Sequence, residues 1–186
     1  DKTNQRVLAH SGKQVRPVLA LLTAKACSGG FVTEETIHFA AAAELIHNAT
    51  LLHDDVADNS PVRRGEPTVM SLLGGRASVL LGDYWLVKGI ESVLSVNTFS
   101  GKVIRIFSNT LSDLAEGELL QLQKADTCDT TESDYYRIIY NKTASLFVAS
   151  ANTAAISVSA SDEKRKAAKL YAECLGIAFQ IKDDIF

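Results

Sequence analysis

A chain of 186 residues that is 46% hydrophobic and 22% charged has the size and apolar content of a single globular domain with a substantial core. Its net charge of −3 supplies no global basic field for nucleic acid, so an anionic ligand must be held by local basic clusters. Cys27, Cys128 and Cys174, odd in number and widely spaced, fit neither a disulfide framework nor a zinc site and read as thiols of a reducing, cytoplasmic compartment. No stretch reaches the ~20 apolar residues of a membrane span, and the polar run Asp1 to Arg16 lacks the apolar centre of a signal peptide.

Three prolines and long alanine- and leucine-rich runs point to an all-α fold, with neither alternating strands nor a G-x-G-x-x-G turn. Ser11 and Gly12 read as a helix start, with Lys13, Arg16 and Pro17 in the first turn of an apolar helix running to about Cys27. Lys13 and Arg16, three residues apart, can converge on one anion beside the free N–H groups of that start, or form a solvated basic turn. Gly29-Gly30 ends the helix, and Thr33 with Glu34 and Glu35 begins the next, expected from about Glu34 to Asp58. Its run Ala40 to Ala43 permits close helix packing or leaves a channel, packing being the commoner use.

The end of that helix carries the densest chemistry, in ELIHNATLLHDDVADNSPVRRG from Glu44 to Gly65. At about 100° per residue, Asp54 and Asp58 lie about 40° apart and His47 about 20° from Asp54, while Asp55 sits about 100° round. Two carboxylates with no lysine or arginine at helical spacing repel each other unless a cation lies between them. Hard oxygens suit Mg²⁺, completed by water and phosphate. Acids belong at helix N-termini, so their crowding at a C-terminus favours a functional site over a solvated helix end. Asn59-Ser60-Pro61 breaks the helix, and Arg63-Arg64-Gly65 follows in a loop, where guanidinium groups suit phosphate oxygens. Glu35-x-x-His38 and Glu44-x-x-His47 match the di-iron pattern. They lie on one helix about 180° apart, however, and cannot share a metal pair.

The segment Ser71 to Asp83 leads into a helix from about Ala77 to Ser95, within which Asp83 has no role beyond that of an outer partner. Gly101 to Lys124 forms the next, with Glu116, Glu118 and Gln121 near its end. Thr130 or Thr131 caps a further helix that carries Lys142-Thr143 in its middle and continues into the small-residue run Ser145 to Ser159. A lysine in that apolar setting needs an anionic partner. Ser161 with Asp162 and Glu163 caps the last helix. At its end Gln180, Asp183 and Asp184 form a second polar patch, while Lys182 points about 100° away from Asp183.

Together the stretches GKQVRP, ELIHNATLLHDDVADNSPVRRGEPTV, LLGDYW, NKTASLF and GIAFQIKDD, in this order, resemble the trans-isoprenyl diphosphate synthases over nearly the whole chain. The resemblance implies an isoprenoid-synthase-like helical bundle around a central cavity, usually a homodimer. It also implies a Mg²⁺-dependent prenyltransferase that joins isopentenyl diphosphate to an allylic diphosphate such as farnesyl diphosphate, with several Mg²⁺ ions per site. Residue by residue, it implies that Asp54 and Asp58, supported by Asp55, hold metal and the allylic diphosphate, and that Asp183 and Asp184 begin a second aspartate motif, Asp183 as metal ligand. Lys13, Arg16, His47 and Arg64 match positions that hold isopentenyl diphosphate. Arg63, Lys142, Thr143, Gln180 and Lys182 match the allylic side. No protein nucleophile is required, in keeping with the lack of any Ser/His/Asp or Cys/His constellation.

Ala49 and Thr50, five and four residues before Asp54, occupy the positions where short-chain members carry an aromatic plug. Ala42, Ala43 and Ile46 continue that face without one. Small residues there imply a long all-trans polyprenyl product, such as a quinone side chain, with peripheral membrane contact during its release. The chain stops at Phe186, where the second motif would supply its third aspartate, so residues 1–186 are expected to be one prenyl synthase domain lacking its C-terminal part. A class I terpene cyclase would not need Lys13, Arg16, His47 and Arg64. A noncatalytic or regulatory subunit of a heteromeric synthase would tend to lose aspartates of the first motif, all three of which are present.

Overall fold

The computed structural model describes residues 12–185. Residues 1–11, with Ser11 of the expected helix start and most of the polar run Asp1 to Arg16, lie outside the described residues, as does Phe186. The fold is all-α, as expected. In chain order the helices are α1 (Val15–Ser28), α2 (Glu34–Ala57), α3 (Val69–Leu73), α4 (Gly75–Leu94), α5 (Ser100–Thr127), α6 (Glu132–Ile139), α7 (Ser145–Ser157) and α8 (Asp162–Ile185). A π-helical turn, Tyr140–Ala144, joins α6 to α7.

Local chemistry sets most of these boundaries. Pro17 lies in the first turn of α1, where its missing N–H removes no helical bond, and Gly29 at φ 83° closes the helix. Thr33 and Thr36 form a reciprocal capping box at the start of α2, and Glu34 and Glu35 suit the positive end of the helix dipole. The fully buried Thr36 also shares a 2.6 Å hydrogen bond with Ser157, tying the start of α2 to the end of α7. Thr131 and Asp134 cap α6 in the same reciprocal way.

Helix α2 packs against α1, α4 and α7. Its alanines serve this packing. Ala40, Ala42, Ala43 and Ala49 are buried, and Gly82 and Gly89 of α4 face the carbonyls of Ala49 and Ala42, where added Cβ atoms would lie 3.1 and 3.4 Å from those oxygens. Phe39 and Ile46 of α2 join Val93, Val103, Phe107, Leu114 and Leu146 in the main core.

Three features depart from the expected elements. The arginine loop is a short antiparallel hairpin of β1 (Val62–Arg63) and β2 (Glu66–Pro67). Arg64 and Gly65 both have positive φ at its turn, as a type I′ connection requires. A short helix, α3, precedes α4, and α4 begins two residues earlier than expected. The helix expected to run through Lys142-Thr143 widens there into the π-turn. Nothing in the local sequence YNKTA demands this, but neighbouring helices crowd the turn on two sides. A Cβ at Gly117 of α5 would lie 2.8 Å from the Lys142 amide nitrogen, and one at Gly176 of α8 would lie 2.6 Å from the Ala144 Cα. Gly176→Ala is therefore expected to destabilise the protein by roughly 1–3 kcal/mol in urea unfolding. Gly101→Ala, with nothing within 4 Å of its added Cβ, should change stability by less than about 0.5 kcal/mol.

Candidate active site

A cavity of about 630 Å³ opens where the start of α1, the second half of α2, the hairpin, α5, the π-turn and the end of α8 meet. Lys13, Arg16, Arg63, Arg64 and Lys142 line it, as do Glu44, Asp54, Asp58 and Asp183. Thr50, Leu51, Leu114, Leu146 and Phe179 are also on the lining, and Leu114 and Leu146 carry it into the main core.

On α2 the helical spacing delivers Asp54, Asp58 and His47 to the same cavity. Burial, then the negative charge of Glu118, pushes the Asp54 carboxyl up to about 6, against the pull of Lys142 and Arg63. Asp55 is buried and does not line the cavity. Its Oδ1 accepts a 2.7 Å charge-assisted bond from Arg63 Nε, so it fixes the arginine beside the cavity. His47 is kept neutral, pushed down to about 2 by burial and by the positive charges of Arg16, Arg64 and Arg63.

Arg16 lies over the Phe147 ring at 4.8 Å, and burial lowers it to about 10, which leaves it charged at neutral pH. Its buried Nε finds no hydrogen-bond partner among the described residues, nor does Glu44 Oε2. Burial raises the Glu44 carboxyl, and Arg16 draws it back down. A buried guanidinium with an unused donor is suited to an incoming anion.

On the other side the π-turn places Lys142 and Thr143 at the cavity. Lys142 Nζ sits 2.7 Å from Glu118 Oε1 and donates to Gln121 Oε1 at 3.3 Å. Thr143 Oγ1 donates to Gln180 Oε1 at 2.6 Å, and Gln180 Nε2 donates to Asp184 Oδ1 at 2.8 Å. Asp184 also accepts from the Tyr135 hydroxyl at 2.7 Å, a bond that pushes the tyrosine up to about 12. Asp183 therefore reaches the cavity, whereas Asp184 is engaged with Gln180 and Tyr135 and does not line it. Lys182 is exposed and does not line it either.

Of the two residues read as product-length determinants, Thr50 lines the cavity and its hydroxyl donates to the His47 carbonyl at 2.8 Å. Ala49 is buried, with its carbonyl at the α2–α4 contact, and does not line the cavity. Asp83 pairs with His53 at 3.2 Å, outside the cavity. Glu44, Gly117 and Tyr135 are brought to the site or its supports without belonging to any of the expected site residues. Gly117 carried a usable signal, because a glycine inside a long helix needs a packing reason.

No group of three His, Cys, Asp or Glu among the described residues is gathered closely enough to hold a metal by itself. The donor set still fits Mg²⁺. Hard carboxylates of Asp54, Asp58 and Asp183 face one cavity, and the burial that raises Asp54, reinforced by the charge of Glu118, disfavours a bare carboxylate there and is a cost that a divalent cation would offset.

The whole chain, residues 1–186, matches the family model described as polyprenyl synthetase. It is 40% identical over 179 residues to the octaprenyl diphosphate synthase of Escherichia coli (strain K12), covering 96% of this chain and 54% of that protein. Its structure is similar to a decaprenyl diphosphate synthase from Rhodobacter capsulatus, with a TM-score of 0.88 and 42% identity, over 96% of this chain and 55% of that one. A polyprenyl synthase from Caulobacter crescentus CB15, complexed with calcium and isoprenyl diphosphate, aligns with a TM-score of 0.86 and 37% identity over 93% and 52% of the two chains. The chain spans about half the length of the curated relatives it matches.

Because the Asp54 carboxyl is raised in the folded state, between about pH 4 and 6 it stays protonated there but ionises in the unfolded chain. Ligand-free protein should therefore lose stability as pH rises through this window, on the order of 2 kcal/mol. Urea unfolding should show that loss in the wild type and not in Asp54→Asn; parallel pH profiles would contradict the assignment.

Proposed function

The chain belongs to the polyprenyl synthetase family, and on that premise we propose that it is a Mg²⁺-dependent prenyltransferase. It would condense isopentenyl diphosphate with an allylic diphosphate, such as farnesyl diphosphate, head to tail into a long all-trans polyprenyl diphosphate of the kind used for quinone side chains. The observation that carries this reading is one cavity in which three aspartates, five cationic side chains and an apolar wall meet.

In this reading Asp54, Asp58 and Asp183 hold Mg²⁺, and Arg63, Lys142, Thr143 and Gln180 hold the allylic diphosphate. Asp55 and Asp184 act indirectly, by fixing Arg63 and Gln180. Lys182 remains assigned to the allylic side by resemblance alone. Lys13, Arg16 and Arg64 hold the diphosphate of isopentenyl diphosphate, and neutral His47 supplies a hydrogen bond without charge. Bound Mg²⁺ would neutralise charge on the departing group.

The allylic C–O bond breaks with its electron pair leaving on the diphosphate. The isopentenyl double bond then forms the new C–C bond, and a proton leaves to the diphosphate. Lys142 and Arg63 stabilise the charge that develops on the leaving oxygen. Leu51, Leu114, Leu146 and Phe179 exclude water from the allylic cation.

A homodimer is supported by the exposed apolar stripe Leu80, Tyr84, Val87 and Leu94 along α4. The three free cysteines agree with a cytoplasmic setting. No helix of the described residues is long and apolar enough to cross a membrane. Peripheral membrane contact during product release belongs to this reading.

Incubation of the full-length protein with isopentenyl diphosphate, farnesyl diphosphate and Mg²⁺ should give polyprenyl diphosphates longer than twenty carbons by mass spectrometry, and Thr50→Tyr should shorten them. An absence of turnover would favour a noncatalytic subunit, and unchanged length in the variant would remove Thr50 from product control.

A further inference from the structure

The stretch Glu116-Gly117-Glu118-Leu119-Leu120-Gln121 has no part in the proposed reaction, yet it forms the bed on which the π-turn rests. Gly117 lets α5 approach the turn so closely that an added Cβ would lie 2.8 Å from the Lys142 nitrogen and 2.9 Å from the Asn141 Cβ. That contact fixes the register between α5 and the turn. One residue on, Glu118 Oε1 meets Lys142 Nζ at 2.7 Å, and one helical turn on, Gln121 accepts from the same ammonium. The ammonium thus has an ion-pair partner and a hydrogen-bond acceptor on α5.

The placement of the two charges is asymmetric. Lys142 lines the cavity, whereas Glu118 does not, so the acid holds the lysine from behind with respect to the cavity. Their side chains are 28% and 32% exposed, neither sealed from water nor freely solvated. A lysine ammonium is a compact charge on a flexible stem and can pass from one acceptor to another without a fixed planar geometry. Glu118 also adds its negative charge at Asp54, so its influence extends across the site.

We infer that Glu118 is a positioning residue that holds Lys142 in the ligand-free protein and competes with the allylic diphosphate for it. The inference rests on the reading of this cavity as a diphosphate site. Glu118 touches no substrate. It keeps the lysine extended toward the cavity and weakens the grip on the diphosphate, which favours turnover over retention of a diphosphate product.

The test measures binding of farnesyl thiodiphosphate, a slowly reacting allylic analogue, with Mg²⁺ by calorimetry on the full-length protein. Glu118→Gln should tighten binding about 3–10-fold. The same variant should lower KM for the allylic substrate while leaving KM for isopentenyl diphosphate within about twofold. In a Lys142→Ala background the gain should shrink below about twofold, because the competition has lost its object. Glu118→Asp, which keeps the charge, should return affinity to within about twofold of wild type and guards against a folding defect in the glutamine variant. Weaker binding in a folded Glu118→Gln, or an equal gain with and without Lys142, would overturn the proposal. Failure of the wild type to bind the analogue, or unaltered affinity in Lys142→Ala, would overturn the diphosphate reading of the cavity and this proposal with it.

Discussion

The close approach of two glycines to one widened turn of helix governs the geometry of the cavity. Gly117 and Gly176 admit α5 and α8 to the backbone of Tyr140–Ala144 at distances that no Cβ would permit. A π-turn adds a residue to the helical repeat and rotates the helix beyond it, and such turns are frequent at functional sites. Here it sets Lys142 and Thr143 on the cavity, while α7 on its far side is buried almost throughout. From Thr143 a chain of hydrogen bonds runs through Gln180 to Asp184 and Tyr135, so the turn, the end of α8 and the start of α6 are braced together.

Charge is distributed around this cavity with a consistent logic. Each cation on the lining that has a described ion-pair partner is held by an acid set behind it, Arg63 by Asp55 and Lys142 by Glu118. Arg16 is treated differently. It is buried over Phe147 with an unused Nε, and the carboxyl of Glu44 is influenced by it without a close ion pair. The carboxylates Asp54, Asp58 and Asp183 are left facing the space itself. A lining of this kind complements a ligand that is itself a mixture of divalent cations and diphosphate, and the apolar residues alongside suit a hydrocarbon chain.

Much of this was legible in the residues. Helical periodicity alone brought His47, Asp54 and Asp58 to one face, because α2 is a regular helix and its repeat is fixed. Proline, glycine and threonine marked most helix ends correctly, since capping is local chemistry. Contacts between helices were not legible. The π-turn depends on Gly117 and Gly176, which lie far in sequence from the Asn141, Lys142 and Ala144 they touch. Spacing could not tell that Asp55 would serve Arg63, that Asp184 would turn to Tyr135, or that Thr50 would line the cavity while Ala49 would not. For the two aspartates the decision lies with a partner outside the helical repeat, in the hairpin eight residues on for Asp55 and on another helix for Asp184.

In the proposed reaction the two aspartate-bearing helix ends and the π-turn act together on one metal-bound diphosphate. A crystal structure of the full-length protein with Mg²⁺ and a non-reactive allylic thiodiphosphate tests it most directly. Mg²⁺ is expected between the diphosphate and the carboxylates of Asp54, Asp58 and Asp183, with Lys142 Nζ moved from Glu118 onto a phosphate oxygen. A diphosphate seated away from these carboxylates, or a Lys142 that remains on Glu118 with the ligand bound, would contradict it.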